Sequence, residues 1–217
     1  MRIPFSVQRL CALAVAFGLP TSLSGQTPGL PAVQNAFSNP GIAVAANVGG
    51  GFLGAAAALG LGSGKLQLSA AAGAQRSNGS TRGAYGVRAA ASVWRSSGGS
   101  LGVGAFAGVG GAPRTRNGAV TTNGAELSVP AGLSLGYQRP MGASRGISAY
   151  VSPLYRWTRL DSGAVSSGGA FRVAAGLDFA FSPSLGVTGG VELGGGNNGE
   201  KKPTLWGAAV TYALGRR

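Results

Sequence analysis

The stretch Ala125-Glu-Leu-Ser-Val-Pro-Ala-Gly-Leu-Ser-Leu-Gly-Tyr137 alternates without a break. Ala125, Leu127, Val129, Ala131, Leu133, Leu135 and Tyr137 fall on one face. Glu126, Ser128, Pro130, Gly132, Ser134 and Gly136 fall on the other. Period two marks a β-strand with one apolar and one polar face. A soluble strand typically runs to about five or six residues, whereas a tilted strand needs about 9–11 to cross a bilayer. This stretch has 13 residues.

The pattern recurs along the chain. It predicts strands over 65–76, 83–95, 100–110, 124–138, 146–158, 170–181, 184–194 and 203–215. Tyr150 and Leu154 depart from it by sitting on the polar face, and strict alternation puts Trp94 there too. Two weaker strands, 42–48 and 53–61, lie in a segment, 41–64, with no charge and eight glycines. Each glycine costs about 1 kcal/mol in a helix relative to alanine, so two short strands are expected there rather than a transmembrane helix. Ten strands result, or eight if the weak pair is dropped.

The connections carry a second signal. The links at Ser63-Gly64, Ser96–Gly99, Pro140–Ser144 and Ser182-Pro183 are short, while 111–123, 161–169 and 195–202 are long. Asn78–Ser80 is a short exception on the long-loop side. Short turns at one end and long loops at the other are how outer-membrane barrels are built. With an even strand number both chain ends fall on the short-turn, periplasmic side.

Composition narrows the function classes. Glycine is 41 of 217 residues, with no Gly-X-Y period, and charged residues are only 11%, too few for a disordered chain. There is no histidine, which removes the commonest general base and the commonest metal ligand. The single Cys11 falls in the leader, so no disulfide or cysteine-based metal site is expected in the mature chain. No cofactor is expected. A net charge of +13 calls for an anionic partner, nucleic acid or lipid phosphate.

Residues 1–25 have the layout of a secretory signal peptide: Arg2 and Arg9, an apolar run from Leu10 to Leu19, then Ser22-Leu23-Ser24-Gly25. Export weighs against nucleic acid. Residues 26–40, turn-rich and uncharged, read as an extended periplasmic segment leading into a barrel over 41–217.

Of five acidic residues, Glu126, Asp178 and Glu192 fall mid-strand on the polar face, as do Arg88, Arg156 and Arg172. A lipid-facing Arg or Lys near the midplane costs roughly 2–4 kcal/mol. The six are therefore expected to face inward as a lumen charge network. Arg76, Arg82, Arg114, Arg116, Lys201 and Lys202 are expected at the long-loop rim, where they suit anionic head groups, lipopolysaccharide included. Trp157, Phe171, Phe181, Trp206 and Tyr137 sit near strand ends, as interfacial girdles require.

The leader, the alternating strands from Lys65 on and the final strand Leu205-Trp-Gly-Ala-Ala-Val-Thr-Tyr-Ala-Leu-Gly-Arg-Arg217 together resemble small bacterial outer-membrane β-barrels of the outer-membrane-protein-A-like family. The resemblance implies insertion by the barrel assembly machinery, which reads an aromatic-bearing last strand; Tyr212 and Leu214 are available, although the chain ends in Gly-Arg-Arg.

The expectation is an all-β, closed antiparallel transmembrane up-and-down barrel, monomeric, in the bacterial outer membrane. Its role would be structural or interactive, carried by loops 111–123, 160–169 and 195–202. A narrow channel for small solutes or ions is the alternative, and a secreted soluble β-sandwich the third reading. Gly102-Val-Gly-Ala-Phe-Ala-Gly108 lacks the following helix that a nucleotide-binding glycine motif needs. An enzyme is the least expected class.

Overall fold

A computed structural model describes residues 41–49, 51–61, 65–77, 80–117, 120–142, 145–161, 165–195 and 204–214. The leader 1–25, the segment 26–40, Lys201, Lys202 and most of loop 195–202 lie outside these residues.

The chain forms β1 (Gly41–Gly49), β2 (Phe52–Leu61), β3 (Leu66–Ser77), β4 (Ser80–Arg95), β5 (Leu101–Ala112), β6 (Thr115–Asn117), β7 (Val120–Asn123), β8 (Ala125–Pro140), β9 (Gly146–Asp161), β10 (Val165–Ala180), β11 (Leu185–Gly194) and β12 (Leu205–Leu214). Ten of them close an antiparallel barrel in which each strand pairs with its neighbour in sequence, β5 passing to β8. The first and last strands seal it, Ile42 opposite Leu214 and Val48 opposite Ala208. The Ala-rich segment is strand, with Gly49 of β1 opposite Phe52 of β2 and Gly51 at φ +79°, a conformation that costs glycine little. The strand count is thus ten, not eight.

Alternation sets what faces where. Ile42, Leu53, Leu68, Val87, Val109, Leu133, Val151, Leu177, Val191 and Val210 are exposed, one from each of the ten barrel strands. A soluble monomer rarely exposes a contiguous apolar patch beyond a few hundred Å²; here the apolar band runs round the whole circumference. Aromatic residues flank it. Trp94, Tyr137, Phe181 and Tyr212 are exposed toward the end where the chain enters β1 and leaves β12, and Tyr85, Tyr155 and Phe171 toward the other. Tyr155 and Phe171 meet edge-on at 5.2 Å between ring centres.

Two proline residues sit within central strands without breaking closure. The β5–β8 register skips the pairs opposite Pro130 and Val129, and the β8–β9 register skips those opposite Pro153 and Ser152. A proline has no N–H to give the ladder, so pairing lapses locally.

Three expectations need correction. Trp94 does not point inward: the β4–β5 register shifts between Ser92 and Trp94, so Val93 is the extra residue of a bulge and Trp94 is turned out, 52% exposed. A bulge of this kind re-aims every side chain beyond it. Much of loop 161–169 is strand, with Val165 opposite Asp161 and Gly169 opposite Trp157, so β9 and β10 stay paired as far as those residues. Loop 111–123 holds the small ribbon β6–β7. At the long-loop end three pairs of successive strands are separated by only two or three residues of sequence, 50–51, 78–79 and 162–164, and two by longer stretches.

Candidate functional site: the barrel lumen

The inner face is lopsided. Toward the chain termini most inward positions on β12, β1, β2 and β3 are small, among them Ala209, Ala213, Ala43, Ala45, Ala56, Ala58 and Ala71, while Phe52 on β2, Gln75 on β3 and Leu205 on β12 are buried toward the ribbon end. Most of the other long inward side chains, and all the charged ones, come from the opposite wall. Arg82 and Arg88 lie on β4, Phe106 on β5, Tyr150, Leu154 and Arg156 on β9, Arg172 on β10 and Glu192 on β11.

At the ribbon end Arg82 occupies the lumen. Its Nη2 donates to Glu126 Oε2 at 2.8 Å, Nη1 to Gly124 O at 2.7 Å and Nε to Gln75 Oε1 at 3.1 Å. Arg82 was expected at the lipid-facing rim; it is buried instead. The reason is parity. Strand β4 begins at Ser80, three residues before the alternation becomes clear, and Arg82 shares the inward phase of Ala84, Gly86 and Arg88. Phe52, Ala84 and Ala112 pack together as an apolar cluster in the same half of the barrel.

Deeper, Glu192 holds two arginines. Arg156 Nη2 donates to Glu192 Oε2 at 2.6 Å and Arg172 Nε to Oε1 at 2.6 Å. Arg172 Nη1 also donates to Gly195 O at 2.9 Å. Glu192 is fully buried, and Arg172 is 3% exposed. The fit relies on Gly194, whose φ is +145° and where an added Cβ would stand 2.7 Å from Arg172 Cα. Below this triad Phe106, Leu154 and Ala174 form an apolar layer. Ser152 Oγ donates to Ser134 Oγ at 2.8 Å.

A third polar cluster faces the end that carries the chain termini. Asp178 accepts from Ser148 Oγ at 2.8 Å and from Thr188 Oγ1 at 2.6 Å. Arg88 lies within electrostatic reach of Asp178 and Tyr150. The six inward charges expected from sequence thus gather around three acids. Glu126 is joined by Arg82, Arg156 and Arg172 share Glu192, and Asp178 is held by hydroxyls beside Arg88.

Of the remaining rim residues, Arg76 is exposed on the outer face. Arg114 is committed to Asp161, tying the segment leading into β6 to the tip of the β9–β10 hairpin. The side chain of Arg116 lies outside the described residues.

The half of the lumen toward the termini is open. About eight strands leave an interior just filled by side chains; ten strands lined with alanine on one wall leave a cavity of about 620 Å³. Its lining runs from Gly41, Arg139 and Arg145 at the mouth to Asn47, Arg88 and Asp178 within. None of Arg82, Glu126, Arg156, Arg172 or Glu192 lines it, so side-chain clusters occupy one half and open space the other. Among the described residues no group of His, Cys, Asp and Glu is arranged to hold a metal.

No protein-family model matches the chain, and no curated protein matches it. Among solved structures it is similar to the crystal structure of Neisserial surface protein A (NspA), with 13% sequence identity and a TM-score of 0.40 over 80% of this chain and 97% of that one. At that score the likeness carries no argument, and the fold rests on the strand pairing described above.

Proposed function

We propose that the protein is a monomeric outer-membrane barrel whose role is structural or interactive rather than transport. The observation that carries this reading is the apolar band around all ten strands, set against charges that are paired on the inner face. Hydrocarbon tolerates such a wall because closure leaves no free sheet edge and the ladders bond the backbone strand to strand, with lapses only beside Pro130, Pro153 and Val93 among the described residues.

The ribbon end, with β6–β7, the β9–β10 tip and the link between β11 and β12, faces outward in this proposal. The basic residue Arg76 there meets anionic head groups such as lipopolysaccharide phosphate. The chain ends face the periplasm, and the barrel assembly machinery reads the last strand through Tyr212 and Leu214. The filled upper lumen is what disfavours a channel. Refolding into planar bilayers tests both parts: the account expects insertion without steady conductance. Stable unit conductance would replace it with the channel reading, and failure to insert would sink membrane residence altogether.

A further inference from the structure

We propose that the open half of the lumen is a binding site for a short-chain carboxylate. The proposal goes beyond the structural role above and borrows from it only the membrane setting.

The first observation is the cavity itself, about 620 Å³, within the roughly 300–1,000 Å³ of small-molecule sites. Alanines from β1, β2 and β12 give it an apolar wall. The second is charge. Arg88, Arg139 and Arg145 line it against one acid, Asp178, and both Asp178 oxygens already accept hydroxyl hydrogen bonds. An anion entering by the mouth meets a cationic excess. The third is Asn47. It is only 4% exposed, the residue borders the cavity, and its Oδ1 and Nδ2, both shielded from the open space, have no hydrogen-bond partner. Buried polar side chains in folded proteins are hydrogen-bonded in the large majority, so an amide left so demands a reason. Stability alone would favour an apolar residue at this point of the alanine wall.

A carboxylate answers all three. Its oxygens accept from Asn47 Nδ2–H once the amide turns into the open space, Arg88 offsets its charge, and a short alkyl chain lies along Ala43, Ala45 and Ala58. Asn47 stands well inside β1, away from the mouth residue Gly41, so the acid group goes in first and the chain points toward Arg139 and Arg145.

The test uses the full mature chain in phosphatidylcholine nanodiscs, with octanoate as the probe and octylammonium as the control of equal length. Saturation-transfer NMR reads binding above that of protein-free discs. The expected result is saturable octanoate binding and none for octylammonium. Asn47→Leu should weaken it about tenfold, the loss of a hydrogen bond to a charged group, while raising thermal stability, because an unsatisfied amide is removed. Ala45→Phe fills the cavity and should abolish binding. Ala46→Phe, one residue on and facing out, should leave it unchanged. Octanoate signal equal to empty discs, equal signal for octylammonium, or an Asn47→Leu variant that binds like the parent would overturn the site and leave a water-filled cup. Failure of the chain to enter discs would instead refute the membrane reading.

Discussion

Glu192→Ala is the perturbation that best measures what the upper lumen is worth. Glu192 is fully buried and is the carboxylate partner of both Arg156 and Arg172, each at 2.6 Å. Removing one member of a buried ion pair costs about 3–5 kcal/mol, because the charge left behind is neither solvated nor paired. Arg172 would keep its bonds to Gly194 O and Gly195 O, whereas Arg156 would lose its bond to Glu192, so the expected loss is about 4 kcal/mol within that range. Glu192→Gln retains an acceptor oxygen and should cost about 2 kcal/mol, the scale of one charge-assisted hydrogen bond. The decisive comparison is the triple variant Arg156→Met/Arg172→Met/Glu192→Leu. Replacing a whole buried triad with apolar groups of similar volume is often neutral or stabilising, so it should return to within about 1 kcal/mol of the parent. Urea unfolding in phospholipid vesicles, followed by tryptophan emission, gives the values. A Glu192→Ala variant within about 0.5 kcal/mol of the parent, the scatter of ordinary surface substitutions, would refute the claim that these charges are buried and mutually dependent.

Other consequences are open to the same assay. Arg82→Met should destabilise by about 2 kcal/mol, since it strips Glu126 of its charged donor; a neutral result would return Arg82 to the rim. Leu133→Arg, mid-strand on the outer face, should cost about 2–4 kcal/mol in vesicles, and no loss there would remove hydrocarbon from that face. Gly176→Ala should cost about 1–3 kcal/mol as an overpacked site, because the new Cβ would meet Tyr150 Oη and stand 2.6 Å from Gly189 O; unchanged stability would refute the close packing of Tyr150 and β11 on Gly176.

Period two was enough to predict the barrel, because alternation over more than ten residues is a property of side chains alone. It predicted Arg156, Arg172 and Glu192 as inward-facing for the same reason. The misses came where side chains carry no signal. Residues 165–169, Val-Ser-Ser-Gly-Gly, pair through their backbones with β9 and offer few apolar side chains to mark a strand. The Val93 bulge depends on the count of residues opposite it on β5, which no local pattern records. Arg82 was legible in principle, since its phase equals that of Arg88, but Asn78-Gly79-Ser80 reads as a turn and hid the start of β4. The cavity could not be read at all. It exists because closure sets β12 beside β1 and so brings the alanine-rich, terminus-side parts of neighbouring strands together, a consequence of topology rather than of any single stretch.

The central claim is that one face of each strand meets hydrocarbon and the other meets side chains. The most direct measurement is a spin-label scan of positions 127–135 in vesicles, one cysteine at a time, comparing collision with oxygen and with a water-soluble nickel complex. The account predicts strong oxygen access at Leu127, Val129, Ala131, Leu133 and Leu135 and immobile, inaccessible labels at Ser128, Pro130 and Ser134. Nickel access at the odd positions would contradict it.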